Sequence, residues 1–185
     1  MRVFDILASC MLIIVLIPLF LIISLIIFLS FDGPILHFSK RVGRFNENFM
    51  MPKFRTMKLS SPDIATHLLE NPEKFVTPIG SILRRYSLDE LPQLYSIFVG
   101  RMSFVGPRPA LHNQEDLIEL RTSLNIHKIR PGLTGLAQIN GRDEISIKRK
   151  VELDYEYSLN KSFFFDLGIL IRTFSKVTKK NNITH

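Results

Sequence analysis

Between Asp5 and Asp32 the chain carries no charged residue. Ile6 to Phe31 is dominated by Leu, Ile, Val and Phe, with Ser9, Cys10, Pro18 and Ser24 as the main interruptions. The run is longer than the apolar region of a signal peptide, and no small-x-small cleavage site follows it. It therefore reads as a retained membrane segment, and it accounts for the positive mean hydropathy of +0.16. A helix over these residues reaches about 39 Å at 1.5 Å per residue, enough to cross a hydrocarbon core of roughly 30 Å with tilt. Pro18, near the middle, removes the hydrogen bond to the Ile14 carbonyl and kinks the helix into two arms of about 18 to 20 Å. Two topologies follow: a kinked single span, or a re-entrant hairpin that enters one leaflet and returns.

Charge orients the segment. The first basic residues after it, Lys40, Arg41, Arg44, Lys53, Arg55 and Lys58, keep the C-terminal part in the cytoplasm by the positive-inside tendency. Arg2 adds a cation before the run. The net charge of +7 suits an anionic bilayer surface or a polyphosphate. A nucleic-acid role ranks low, because no recognition-helix, finger or RNP pattern is present and the chain begins in a membrane. The single cysteine, Cys10, lies in the apolar run and reads as small filler, with palmitoylation as the alternative. The five histidines have no paired ligand spacing, which argues against zinc. At 185 residues the chain has room for one compact domain and an appendage. The division expected is residues 1–32 as the membrane helix and 33–185 as a cytoplasmic catalytic domain.

The stretch S-L-D-E-L-P-Q-L-Y-S-I-F-V-G-R-M-S-F-V-G-P-R-P, Ser87 to Pro109, carries the chemistry. Ser87 as N-cap with Glu90 three residues on is capping-box spacing, followed by Leu91, Leu94, Tyr95 and Phe98 on one face of a helix. Pro92 favours the alternative in which Asp89 is the cap. Either choice places Asp89 and Glu90 near a helix N-terminus, which favours ionised carboxylate or metal-bound phosphate. Taken alone, the pair is better explained as capping acids. Arg108, between two prolines, supplies a constrained cation after the turn.

Elsewhere, residues 37 to 58 predict two short strands around Asn46-Glu47-Asn48. Lys53 and Arg55 either face phosphate or are cations at the bilayer surface. Ser60 to Pro78, broken by three prolines, predicts a mobile surface region with one helical turn at most. Helices are predicted over Ile79–Tyr86, which holds Arg84 and Arg85, over Leu111–Ile126, and over Ile147–Tyr157. The R-P-G-L-T-G-L-A-Q-I-N-G-R stretch, Arg130 to Arg142, either brings backbone close to a ligand through its three glycines or is a turn-rich connection. Gln138, Asn140 and Arg142 are its donors. Ser162 to Lys180 fits a helix lying in the membrane interface, or equally a core-packed terminal helix.

With K-F-R-T-M (Lys53 to Met57), S-L-D-E-L-P-Q-L (Ser87 to Leu94), M-S-F-V-G-P-R-P (Met102 to Pro109) and the Arg130–Arg142 block in this order, the chain resembles the bacterial sugar transferases, monotopic phosphoglycosyl transferases in their minimal catalytic form. The resemblance runs from the membrane segment to the terminal helix. It implies transfer of a sugar-1-phosphate from a UDP-sugar to polyprenyl phosphate, with release of UMP and a requirement for Mg2+. It implies Asp89 as nucleophile, carrying a covalent phosphosugar, and Glu90 as its assistant through the metal or through proton handling, both acids being metal-ligand candidates. Lys53, Arg84, Arg108, Gln138 and Arg142 would contact phosphates or shape the site. Members similar to this chain often carry Ser-Pro at the membrane bend; here Pro18 follows Ile17, so that serine hydroxyl is missing.

The fold class expected is α+β, predominantly α: a re-entrant or single-span helix and a small membrane-associated domain with a short β-hairpin and interfacial helices. The location implied is the cytoplasmic face of the bacterial inner membrane. The partners implied are UDP-sugar, polyprenyl phosphate, membrane lipid and downstream glycosyltransferases. Two other readings stand beside it: a membrane-anchored glycosyltransferase that makes a glycosidic bond, disfavoured by the lack of a D-x-D motif, and a non-catalytic scaffold that binds anionic lipid.

Overall fold

The computed structural model describes residues 2–30, 33–61, 72–141 and 145–178. The apolar run forms one long helix, α1 (Arg2–Ser30), which continues through Pro18. An antiparallel hairpin follows, β1 (Leu36–Val42) and β2 (Asn48–Phe54), with Leu36 opposite Phe54 and Val42 opposite Asn48. Its turn is closed by the Gly43 N–H on the Glu47 carbonyl at 2.8 Å, with Phe45 and Asn46 in the left-handed region. Phe49 and Met51 of β2 share one face and are buried in the main core with Met50 exposed between them, whereas Phe54, on the other face, is buried in a second cluster.

Next come α2 (Pro78–Arg85), a 3-10 turn over Leu88–Glu90, α3 (Gln93–Phe98) and β3 (Ser103–Val105). Then follow β4 (Ala110–Leu111), α4 (Glu115–Ser123), β5 (Gly132–Thr134), α5 (Leu136–Ile139), α6 (Ile147–Asn160) and α7 (Phe163–Thr178). The strands form two small sheets, β2-β1-β4 and a parallel pair β3-β5. The class is α+β and predominantly helical, as expected.

Several local expectations change. Ser87 does not cap the acid turn: it has φ 54°, and its N–H closes the end of α2 on the Arg84 carbonyl at 3.0 Å. The capping box is therefore not made, and Pro92, at the N-cap of α3, costs no intrahelical donor. Leu94 is buried, whereas Tyr95 and Phe98 are exposed, so the four apolar residues do not share one core face. The helix expected over Leu111–Ile126 is shorter at both ends. Ala110 and Leu111 pair with β1, and Asn125 at φ 60° follows the helix. Residues 62–71 of the expected mobile region lie outside the described residues.

α1 is packed on the domain along its length. Ala8, Leu12, Ile13 and Leu16 lie on the main core of Met51, Ile97, Met102, Val105, Leu153 and Tyr157. Ile23 and Ile27, one turn apart, close a second cluster with Phe54 and Leu83, and the Phe20 ring tilts against Phe54. At the other end, Arg2 donates to the Ile97 and Phe98 carbonyls at the C-terminus of α3, where a cation suits the unpaired carbonyls. The buried Asp5 accepts from Ser103 Oγ at 3.0 Å and from the Phe104 N–H at 3.3 Å. The opposite face of α1 is exposed and apolar, including Leu7, Met11, Ile14, Leu21, Leu25 and Phe28. On α7, Phe164, Ile171 and Phe174 are likewise exposed, while Ile169 and Asp166 point inward. Apolar faces of this extent require a partner other than water.

Two of the three glycines in the Arg130–Arg142 block allow close backbone packing. A Cβ on Gly132 would meet the Gly106 nitrogen at 2.1 Å, and one on Gly135 would meet the Gly106 carbonyl oxygen at 2.1 Å. The β3 arm leading into the P-R-P turn thus lies directly on the β5 backbone. Gly132→Ala is expected to force these strands apart and cost more than about 2 kcal/mol, read as a lower unfolding midpoint in detergent or nanodiscs. A midpoint equal to wild type would contradict this packing.

Candidate active site

Three separate parts of the chain converge on the acid pair. The hairpin delivers Lys53 from the end of β2, and its Nζ lies 3.0 Å from Glu90 Oε1. The P-R-P turn delivers Arg108, whose Nη2 lies 3.0 Å from the same oxygen. α2 delivers Arg84, whose Nε donates to Thr56 Oγ1 at 2.9 Å and whose charge acts on Asp89. Thr77 caps α2 by accepting from the Gly80 N–H at 3.0 Å, which fixes the helix carrying Arg84. The acids sit on a 3-10 turn ahead of a six-residue helix, so the dipole contribution expected from a longer helix is small.

The two acids have different electrostatics. Burial pushes the Asp89 carboxyl above its ordinary range, and Glu90 adds to this, while Lys53, Arg84 and Arg108 oppose it. For Glu90, burial also favours the neutral form, but Lys53 and Arg108, by charge and by direct hydrogen bonds, hold it well below the usual carboxylate range. Glu90 is thus favoured as the anion, bound between two cations. Asp89 is the costlier ion, without a comparable hydrogen-bonded grip among the described residues. Burial lowers the Arg84 guanidinium from its ordinary value, and Asp89 offsets part of that. Among the described residues, Lys53, Arg84 and Arg108 all bring positive charge to bear on Asp89.

Lys53, Arg84, Arg108, Asp89 and Glu90 are therefore brought together. Lys53 and Arg55 diverge, however, because Arg55 Nε donates to the Pro34 carbonyl. Gln138 is buried on α5, with no hydrogen-bond partner for either amide atom among the described residues and no bond to either acid. Arg142 lies outside the described residues. Sequence reading missed three supports. Thr56, inside the K-F-R-T-M block, receives Arg84. Arg121 and Asp154, which no local pattern singles out, form a buried ion pair of 2.6 Å behind the P-R-P turn.

Among the described residues no group of three or more His, Cys, Asp or Glu side chains converges to form a metal cage. Of the residues brought together here, Asp89 and Glu90 carry the carboxylate oxygens that a Mg2+ drawing its other ligands from substrate phosphates and water would use.

The profile of the bacterial sugar transferase family matches residues 1–180. The exopolysaccharide production protein ExoY of Rhizobium meliloti is 38% identical over 194 residues, covering 95% of this chain and 84% of that protein. The UDP-glucose:undecaprenyl-phosphate glucose-1-phosphate transferase of Escherichia coli is 37% identical over 183 residues, covering 95% of this chain and 39% of that protein. The UDP-N-acetylgalactosamine-undecaprenyl-phosphate N-acetylgalactosaminephosphotransferase of Aeromonas hydrophila is 33% identical over 177 residues, covering 93% and 42%. The chain belongs to the bacterial sugar transferase family and is a phosphoglycosyl transferase.

Proposed function

We propose that this enzyme transfers a sugar-1-phosphate from a UDP-sugar to a polyprenyl phosphate, with undecaprenyl phosphate the natural acceptor, and releases UMP. The observation that carries the reading is the grip of Lys53 and Arg108 on one oxygen of Glu90 beside the buried Asp89. In the first step an Asp89 oxygen attacks the phosphorus that bears the sugar. An oxygen–phosphorus bond forms, the bond to the bridging oxygen breaks, and UMP departs with that electron pair. In the second, a phosphate oxygen of the polyprenyl acceptor attacks the same phosphorus and displaces Asp89, which regenerates the carboxylate. Lys53, Arg84 and Arg108 counter the charge that makes a carboxylate a poor nucleophile toward phosphate, and the arginine forks suit bidentate contact with phosphate oxygens. Bound at Asp89 and Glu90, Mg2+ would neutralise phosphate oxygens. Gln138 and Arg142 are further donors for the nucleotide or sugar.

The acceptor's phosphate lies at the bilayer surface, which requires the acids to stand there too. In support, both ends of α1 pack on the domain that holds the acids, through Arg2 and Asp5 at one end and Ile27 at the other. A straight span would carry one end about 30 Å away across the hydrocarbon core. The packing favours a monotopic arrangement, with α1 entering from and returning to the cytoplasmic face of the inner membrane and α7 lying in the interface. A cysteine introduced next to Arg2 is expected to label from the cytoplasmic side of inverted vesicles; labelling from the periplasmic side alone would reject this topology.

The reaction is tested with purified enzyme, undecaprenyl phosphate, Mg2+ and a panel of UDP-sugars. UMP release with at least one donor is expected. Release of UDP instead would indicate transfer of the sugar alone, and no nucleotide product with any donor would remove the catalytic reading. The panel also finds the sugar, which differs among relatives named for glucose, galactose and N-acetylgalactosamine. The product would enter the assembly of a surface glycan, where downstream glycosyltransferases extend it.

A further inference from the structure

Arg108 is held at both ends. Its guanidinium reaches Glu90, and its carbonyl accepts from Arg121 Nη1 at 2.8 Å. The remaining reach of Arg121 goes to Asp154 on α6: Nε lies 3.0 Å and Nη2 2.6 Å from Asp154 Oδ2. Asp154 is 1% exposed and Arg121 9%. We propose that Arg121 and Asp154 are a positioning pair for the transfer, with Asp154 locking the Arg121 fork so that it fixes the Arg108 carbonyl and hence the side chain that grips Glu90. The inference rests on the reading of Glu90 and Arg108 as the transfer site.

Three observations carry it. A buried ion pair contributes little net stability compared with apolar residues of similar volume, so stability alone does not account for charges placed here. The pair is neutral as a unit, which makes its effect on Arg108 geometric rather than one of added charge. The target is also well suited to transmit position. Pro107 and Pro109 fix φ on both sides of Arg108, and Arg41 Nη1 holds the Pro109 carbonyl at 3.3 Å. With so little backbone freedom, moving the Arg108 carbonyl moves its side chain. A displacement of about 1 Å at such a group can cost on the order of 100-fold in rate.

The test replaces the pair with apolar residues, Arg121→Met together with Asp154→Leu, so that no unpaired charge stays buried. The double variant is expected to melt within a few degrees of wild type. It should lose about 10- to 100-fold in kcat with undecaprenyl phosphate, while KM for the UDP-sugar changes less than about 3-fold. In an Arg108→Met background the same replacement is expected to lower kcat less than about 3-fold further, because the pair acts through Arg108. A folded double variant with wild-type kcat, or losses that multiply fully in the Arg108→Met background, would overturn the proposal. If wild type itself releases no UMP, the transferase reading fails separately. Amide exchange then decides the positioning: faster exchange at Gly106, Arg108 and Ala110 in the double variant supports it, and unchanged protection overturns it. Should the double variant fail to fold, Arg121→Lys, which keeps the charge but loses the fork, is read by the same kcat and KM split.

Discussion

Asp89→Asn is expected to reduce UMP release by more than about 1,000-fold while leaving the protein folded. Asparagine has the shape of aspartate but no anionic oxygen to attack phosphorus, so the loss falls on the first chemical step. Donor binding should persist, since Lys53, Arg84 and Arg108 are untouched. The stability expectation has a definite sign. Burial raises the Asp89 pKa in the fold, so ionising it costs stability as pH rises from its unfolded value through its folded one. Asparagine carries no such cost, and at neutral pH the variant should melt at or above the wild-type temperature. The measurements are UMP release, covalent labelling from a UDP-sugar with radioactive phosphate in the sugar-bearing position, and thermal unfolding. A purified Asn variant that still turns over, or still takes up label, would rule out Asp89 as nucleophile.

Glu90→Gln should have the next largest effect, about 100-fold or more in kcat together with a higher Mg2+ concentration for half-maximal activity. Here the lost group is the anion shared by Lys53 and Arg108, and both cations are left facing a neutral amide. Hydrogen bonds to charged groups contribute about 1.5 to 3 kcal/mol each, and partial exposure of Arg108 brings the expected loss toward the lower figure for the whole cluster. The pH dependence is opposite to that of Asp89. A carboxyl held below its ordinary range stabilises the fold above its unfolded pKa, and that contribution disappears as pH falls through its folded value. The stability gap between wild type and Glu90→Gln should therefore be full at neutral pH and close only in strong acid, measured by urea unfolding across pH. A Gln variant with wild-type turnover, Mg2+ response and unfolding midpoint would show that Glu90 has neither role.

The division between what was legible in the chain and what was not follows the range of the interactions. The hairpin was readable because strand alternation and a polar turn act over a few residues. The capping box was misread for a related reason: the Ser87–Glu90 spacing is real, but α2 ends into Ser87 with a left-handed residue, and that competing local solution uses the backbone first. Tyr95 and Phe98 followed helical spacing yet point outward, because a surface beside a membrane has no need to bury every apolar residue in protein. Gly132 and Gly135, for which the sequence left ligand approach and a turn-rich connection both open, let the backbone at Gly106 lie on them, a contact between segments about 26 residues or more apart that no local pattern encodes.

By itself, then, the sequence determined the apolar helix, the basic domain that follows it, the family and the identity of the acids, since each depends on composition, short-range period or contiguous motif. Tertiary structure decided which cations reach which acid. Lys53 and Arg108, 37 and 18 residues from Glu90, meet on one of its oxygens, and Arg121 crosses to Asp154, 33 residues away, behind them. It also decided that α1 lies along the domain from Arg2 to Ile27. Charge pairing and helix docking at such separations depend on how close-packed backbones and side chains bring distant segments together, and that is a property of the whole fold.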